Sequence, residues 1–397
     1  MELAIVSSER DWSQHFRRIV VTNCHYWLNR VRADAKSVLR ELPQVLQGLA
    51  YALAVTEAWR PARDLLVQLS PWLLRQGPAT TWERYLSQGI DRAAAEGDPV
   101  EIELRLQLGH LYQLQGRLAE ARVCCRQALA LGEQYQSHPH HLTLLNQLGL
   151  IARLAAQHDE ALAYCRQVLA APELPLAEQA EAHNVLGLVA HDRREWVEAL
   201  AHFDQALSAY RALGDPYQTA RMLNNRGLVL LRSDRLAEAA ESYQAAITHF
   251  AASEDRIEQF KAVMNLGNVY LMQQAYAQAI AQYQTALPHF QQYHYLVDQA
   301  HTYNNLGMAH TGLKEWAVAE ASYQRSIDLW QTLGDAYNLA NALDNLGELF
   351  SESGQPARAA EILRQALAVL APVLDNPANQ PLHQAIERRL AGLDLER

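Results

Sequence analysis

Between about residues 99 and 372 the chain alternates amphipathic stretches of helical period with short polar breaks. The run from Ala220 to Phe250 shows the pattern. Leu223, Gly227, Leu230 and Leu231 fall near helical spacing, Ser233–Asp234–Arg235 breaks the run, and Ala239, Tyr243, Ala246 and Ile247 resume it. Two helices joined by a turn are the predicted unit. Aligned units bring small residues into register: Gly109, Gly149, Gly187, Gly227, Gly267, Gly307 and Gly347 follow at steps of 40, 38, 40, 40, 40 and 40 residues, with an alanine twelve positions after each, from Ala121 to Ala359. A fixed period with small residues at fixed offsets marks a stacked-repeat protein. Neither helix buries its apolar face alone, so stacking is obligatory. Glycine and alanine let the paired backbones approach, and the aromatic four residues after the alanine (Tyr243, Tyr283, Tyr323) is expected to fill the gap against the next repeat. The predicted fold is an all-α, right-handed α-solenoid of stacked antiparallel helix pairs, with seven repeats over residues 99–372.

Outside that span the phase changes but the helical pattern continues. Residues 1–98 form an irregular helical region containing one decayed repeat, with Ala50 in place of the glycine, Ala62 in place of the alanine and Pro61 opening its second helix. A break is expected at Gly77–Pro78. Residues 373–397 read as a charge-rich amphipathic helix covering the last apolar face of the stack.

The repeat pattern resembles the tetratricopeptide repeat in its long, 40-residue form. The residues that carry the resemblance are the Leu-Gly pairs at 108–109, 148–149, 186–187, 266–267, 306–307 and 346–347 with the alanines and aromatics above; Arg226 before Gly227 departs from it. Gly214–Asp215 and Gly334–Asp335 fit as turns in which glycine ends one helix and aspartate caps the next. Kinesin light chains, spindle-orientation scaffolds and bacterial peptide-sensing regulators share this long form and bind proteins or peptides. The run from Ala33 to Asp98, with Arg75, Gly77 and Trp82, resembles the helical arm after the nucleotide-binding core of bacterial multidomain NTPase regulators. That suggests a bacterial source. It leaves open a free-standing sensor arm or a fragment of a larger regulator, since the chain has no GxxxxGK[ST] phosphate loop.

Charge narrows the partners. The net charge is −10 at pH 7; residues 1–100 carry 12 basic and 11 acidic side chains, and residues 101–397 carry 22 and 33. An acidic array disfavours nucleic acid, and no apolar run is long enough for a bilayer. The beginning of the chain lacks a secretory pattern. Cys24, Cys124, Cys125 and Cys165 lack zinc or disulfide spacing and read as core residues in a reducing cytoplasm.

No catalytic motif emerges: HExxH, GxSxG, GxGxxG and CxxC are absent. The expectation is a binding protein rather than an enzyme, with no cofactor. His138, His140 and His141 are the one metal-like cluster, more readily a loop feature than a site. His110, His191 and His310 are placed towards the groove side of their helices. Two residues before the glycines stand Gln107, Gln147, Val185, and then Asn225, Asn265, Asn305 and Asn345. In this repeat class the first helix of each pair lines the concave surface, and asparagines at this position of related scaffolds grip peptide backbone. The amide offers both donor and acceptor, so a ladder of them suits an extended peptide's main chain. Their competing role is to satisfy neighbouring helix ends.

Arg221, Lys261 and His301, six residues before their glycines, form a basic stripe suited to a ligand with carboxylates, and Asn268 completes the candidate set. Leu228, Leu231, Met264, Leu271, Met272 and Met308 are candidate apolar pockets. Two readings follow: a scaffold that holds a protein or peptide segment in the groove, or a sensor arm that acts through residues 1–98 on a separate effector. The sequence leaves the oligomeric state open.

Overall fold

The computed structural model describes residues 2–136, 140–252 and 256–395, apart from the side chains of 2–12, 36, 75–76 and 394–395. Among the described residues every regular element is helical. The chain divides into two compact units, Met1–Val189 and Ala190–Arg397.

The first unit opens with α1 (Glu2–Leu39), α2 (Leu42–Ala54), α3 (Trp59–Gln76) and α4 (Ala79–Glu96). Helix α1 is interrupted at Asp34 (φ −157°, ψ 92°), whose carboxylate accepts the Ser37 N–H at 3.2 Å. The decayed repeat is α2 with α3, and Ala62 is fully buried within it. Its tight approach lies at Gly48 rather than Ala50. A Cβ on Gly48 would come within 2.5 Å of Asn23 Oδ1 and 3.3 Å of the Trp27 ring, because α1, which the repeat pattern lacks, lies against α2. Helix α3 ends before Gly77–Pro78, Trp82 is fully buried on α4, and the Arg75 side chain lies outside the described residues. Two helix pairs follow, α5 (Val100–Leu114) with α6 (Leu118–Gln134) and α7 (His141–Leu154) with α8 (His158–Leu169). Helix α9 (Leu176–Asp192) runs to the end of the unit and across its boundary.

The second unit holds α10 (Trp196–Ala212), then four pairs: α11 (Pro216–Arg232) with α12 (Leu236–Ala252), α13 (Arg256–Met272) with α14 (Tyr276–Gln292), α15 (Leu296–Gly312) with α16 (Trp316–Leu333), and α17 (Ala336–Glu352) with α18 (Pro356–Leu370). Helix α19 (Gln380–Leu395) follows.

The glycine register works through the aromatic position of the same repeat. A Cβ on Gly267 would stand 2.6 Å from the Tyr283 ring, and one on Gly307 2.6 Å from the Tyr323 ring. Each tyrosine therefore lies flush on its own repeat's glycine, where the sequence suggested that it bridged to the next. A helix bearing a methyl group there would hold the ring, and so the partner helix, away. In the first two repeats the smaller Cys125 and Cys165 take this place, both fully buried, with burial pushing each thiol up to about 12.

The turn inside every repeat reverses through one left-handed residue seven positions after the glycine: Gly116, Ala156, Arg194, Asp234, Gln274, Lys314 and Gly354, all with φ between 57° and 75°. Between repeats, Gly214 (φ 66°) and Gly334 (φ 70°) end their helices, and Asp215 and Asp335 accept the N–H of Gln218 and Asn338 at 2.9 and 3.0 Å. These aspartates cap α11 and α17 as expected.

Candidate asparagine ladder and the family it belongs to

The ladder lies wholly in the second unit, on α11, α13, α15 and α17. Asn225, Asn265, Asn305 and Asn345 are each half-buried. Their spacing by one repeat places them on successive first helices, and three of them reach back across the gap to the preceding one. Asn265 Nδ2 donates to Asn224 Oδ1 at 3.1 Å, and Asn345 Nδ2 donates to Asn304 Oδ1 at 3.0 Å. Both acceptors stand three residues before their glycine. In the repeat between them that position is Met264, and the acceptor moves one turn along the helix: Asn305 Nδ2 donates to Asn268 Oδ1 at 2.8 Å. The same Asn268 oxygen accepts the Tyr283 hydroxyl at 2.8 Å.

Asn265, Asn305 and Asn345 therefore join successive first helices side chain to side chain, rather than satisfying neighbouring helix ends. They do so with the amide nitrogen only. The carbonyl oxygens of Asn265, Asn305 and Asn345 are left as a row of acceptors, one per repeat. A bond that fixes the amide end also fixes where the oxygen points, at a net contribution of about 1 kcal/mol per neutral hydrogen bond.

The basic stripe is mostly neutralised. Lys261 Nζ lies 3.0 Å from Glu258 Oε1 and 5.7 Å from the Tyr295 ring centre. Burial would lower its pKa, but Glu258 and then Asp298 hold the ammonium above its usual value. His301 stands edge-on to Trp330, ring centres 4.8 Å apart, and burial drives it below the ordinary imidazole range. Burial also pushes the neighbouring Asp298 carboxyl up, against the pull of Lys261 and His301. Arg221 donates to Gln218 Oε1 at 2.5 Å. The stripe thus presents two cations, one beside its own carboxylate, and one imidazole held towards its neutral form.

The apolar candidates divide. Leu231 is core, Leu228, Met264 and Leu271 are half-buried, and Met272 and Met308 are 52 % and 39 % exposed. Of the histidine cluster, His138 lies outside the described residues, and His140 Nε2 is paired with Glu103 Oε2 at 2.7 Å. That pair lines a cleft of about 790 Å³ in the first unit, together with Arg32, Arg63, Asp64 and Asp98.

The tetratricopeptide-repeat model matches residues 101–173, 178–252 and 298–371, more than half of the chain. The chain belongs to the tetratricopeptide-repeat family. Tetratricopeptide repeats build protein–protein interaction scaffolds, and the ladder occupies one equivalent position on four first helices, α11, α13, α15 and α17. Solved structures share the fold. A Signal Transduction ATPase with Numerous Domains protein with a tetratricopeptide repeat sensor, from Pyrococcus horikoshii, superposes with a TM-score of 0.66 at 16 % identity. That match covers 92 % of this chain and 55 % of the Pyrococcus chain, so this chain spans about half of that protein. The apo form of the quorum sensor NprR from B. thuringiensis gives 0.57 at 13 % identity, covering 89 % and 99 % of the two chains. A Rap protein complexed with Competence and Sporulation Factor gives 0.54 at 13 %, covering 84 % and 98 %. No functionally curated protein matches the chain. No described tetratricopeptide helix is long and apolar enough to cross a membrane.

The sequence points to the asparagines two residues before the glycine and to Asn268, the acceptor of Asn305, but the other acceptors, Asn224 and Asn304, do not stand out in it singly. The signal was present: Asn146, Asn184, Asn224, Asn304 and Asp344 recur three residues before their glycines. A polar residue at a position that helix packing buries points to a partner in the next repeat.

Proposed function

We propose that the chain is a non-enzymatic binding module whose asparagine row holds an extended peptide or a partner's unstructured segment. The observation that carries this reading is the row of oxygens on Asn265, Asn305 and Asn345, each fixed by its own amide bond to the preceding repeat. Acceptors fixed at repeat spacing suit main-chain N–H groups, which every peptide carries. Arg221 and Lys261 add positive charge on the same helices, which favours a segment with carboxylates. In this reading residues 1–98 form an accessory helical region, 99–372 the binding array and 373–397 its cap.

The test is affinity capture from native lysate, read by mass spectrometry, with the wild type, Asn265→Ala/Asn305→Ala, and Asn224→Ala. The third variant breaks the Asn265–Asn224 bond yet keeps the Asn265 oxygen. A protein lost from the double variant and kept by Asn224→Ala supports contact through the ladder. Partners held equally by all three place binding elsewhere.

A second reading, a sensor arm acting on a separate effector, rests on the first unit. Phe16, Ile19, Tyr26 and Tyr51 expose about half of their surface on α1 and α2, with Phe16 and Tyr51 edge-to-face at 5.9 Å. The fold shared with a tetratricopeptide repeat sensor and a quorum sensor is consistent with it. Phe16→Asp/Tyr51→Asp should then lose an effector while keeping ladder partners; an unchanged capture set would remove this reading.

A further inference from the structure

The last repeat ends on a substitution that repeats a bond seen earlier in the array. Asn224 and Asn304, three residues before their glycines, each accept an asparagine amide from the following repeat. On α17 the residue at this position is Asp344. Asp344 accepts instead from the guanidinium of Arg389 on α19, which also reaches Glu348 Oε2 at 3.1 Å. Asp344 is only 4 % exposed, and its second oxygen, Oδ1, has no hydrogen-bond partner. A buried carboxylate with one oxygen unsatisfied is a costly arrangement and depends heavily on its single cation.

Helix α19 otherwise holds to α17 and α18 through few side chains. Leu382, Ile386 and Leu393 are buried against the end of the array, with Leu390 partly so. They recur at 382, 386, 389 and 393 when Arg389 is included, one face of a helix. The connection from Ala371 to Asn379 consists of two short 3₁₀ turns carrying Pro372 and Pro377. The helix is thus joined by a connection without α-helix and fixed by Arg389, which meets Asp344 and Glu348, together with Leu382, Ile386, Leu390 and Leu393.

We propose that the end face formed by α17 and α18 is a helix-binding surface, which α19 occupies within the chain. The partner it fits is an amphipathic helix with aliphatic residues at i, i+4 and i+11 and an arginine at i+7. The seated helix itself supplies the argument for that chemistry: the arginine meets Asp344 and Glu348, and the aliphatic side chains cover the apolar end of the last repeat. Such a partner helix displaces α19 and is held off in its absence by the Arg389 contact. This inference concerns the end of the array and is independent of the ladder.

The probe is a fluorescein-labelled peptide of residues 380–397, titrated into the full-length wild type and Arg389→Ala by fluorescence anisotropy, with hydrogen exchange reporting on α19. Arg389→Ala should lose protection in α19 and bind the peptide at least tenfold more tightly than the wild type. Leu382→Asp, also on α19, leaves the end face untouched and should release the helix if Arg389→Ala alone does not. Helix α19 released in either variant with no peptide bound would overturn the proposal, as would full α19 protection in both variants. Circular dichroism confirms that the repeats stay folded, which both substitutions allow because they lie outside the array.

Discussion

Asn305 donates its side-chain amide to the oxygen of Asn268, 37 residues earlier in the chain, at 2.8 Å. In the flanking repeats the equivalent bond runs to Asn224 and Asn304, one turn nearer the start of the helix. Met264 occupies that place on α13, where its sulfur takes the Thr302 hydroxyl at 3.3 Å instead of an asparagine amide. The bond survives because Asn268 stands four residues further on, on the same helical face. The connection between repeats is therefore kept while its position changes. A helix-joining bond that persists in this way carries structural weight whatever the ladder binds.

That weight can be measured at Asn268, whose oxygen receives both Asn305 and the Tyr283 hydroxyl. Asn268→Ala should destabilise the fold by about 1–3 kcal/mol, since it leaves a buried hydroxyl and an amide without acceptors. The matching control is Tyr243→Phe. The Tyr243 hydroxyl is buried with no partner, so its removal should be neutral or stabilising, whereas Tyr283→Phe should cost about 1 kcal/mol. Urea unfolding of the three variants would rank them, and an equal cost at both tyrosines would contradict the assignment.

The glycine register separates in the same way. A Cβ on Gly149 would meet Cys165 Sγ at 3.5 Å and the Ala161 carbonyl at 3.6 Å, ordinary contact for an added methyl group. Gly149→Ala should therefore raise stability by up to about 1 kcal/mol through helix propensity. Gly307→Ala would put its methyl 2.6 Å from the Tyr323 ring and should lose about 1–3 kcal/mol by overpacking. Thermal melts of the two variants should move in opposite directions.

The turns inside the repeats offer a third comparison. Ala156 and Lys314 hold φ at 57° and 60°, where Gly116 and Gly354 sit without a Cβ penalty. Ala156→Gly should stabilise by a few tenths to about 1 kcal/mol, the relief of left-handed strain outweighing the added freedom of the unfolded chain. A melt shifted downwards would show that the Ala156 methyl group makes a compensating contact.

These cases mark what the sequence could and could not reveal. The repeat period, the helix pairs and the Gly-Asp caps were legible because they depend on residue types whose backbone or packing role is narrow. The left-handed turn position was hidden, since Ala156, Arg194, Asp234, Gln274 and Lys314 carry no shared side-chain signal. The ladder was legible as a periodic row, but the anchoring of each amide nitrogen to the preceding repeat depends on distances between repeats. The basic stripe was legible as a row of charges, but its surroundings were not. Charge is visible in sequence, whereas Glu258 beside Lys261 and the indole against His301 become visible only in three dimensions.

The His140–Glu103 pair gives the first unit a dependence on pH. His140 precedes α7 and Glu103 lies on α5, so the 2.7 Å contact joins two successive repeats. Hydrogen bonding to Glu103 raises the His140 pKa against the effect of burial, with Glu178 adding to the rise. Burial opposes ionisation of Glu103, but His140 and then the Gln107 amide hold its carboxyl below the usual range. A raised histidine pKa means that its contribution is complete below the unfolded value of about 6.5 and fades as pH rises through the folded value. The lowered glutamate contributes above its unfolded value of about 4.3 and fades as pH falls through its folded one. The pair should therefore stabilise most between roughly pH 4.5 and 6.5 and weaken on both sides. His140→Gln should destabilise the chain at pH 5.5, and the gap from wild type should narrow by pH 8.5, as followed by urea unfolding at each pH. A gap that stays constant across that range would show that His140 acts through packing alone.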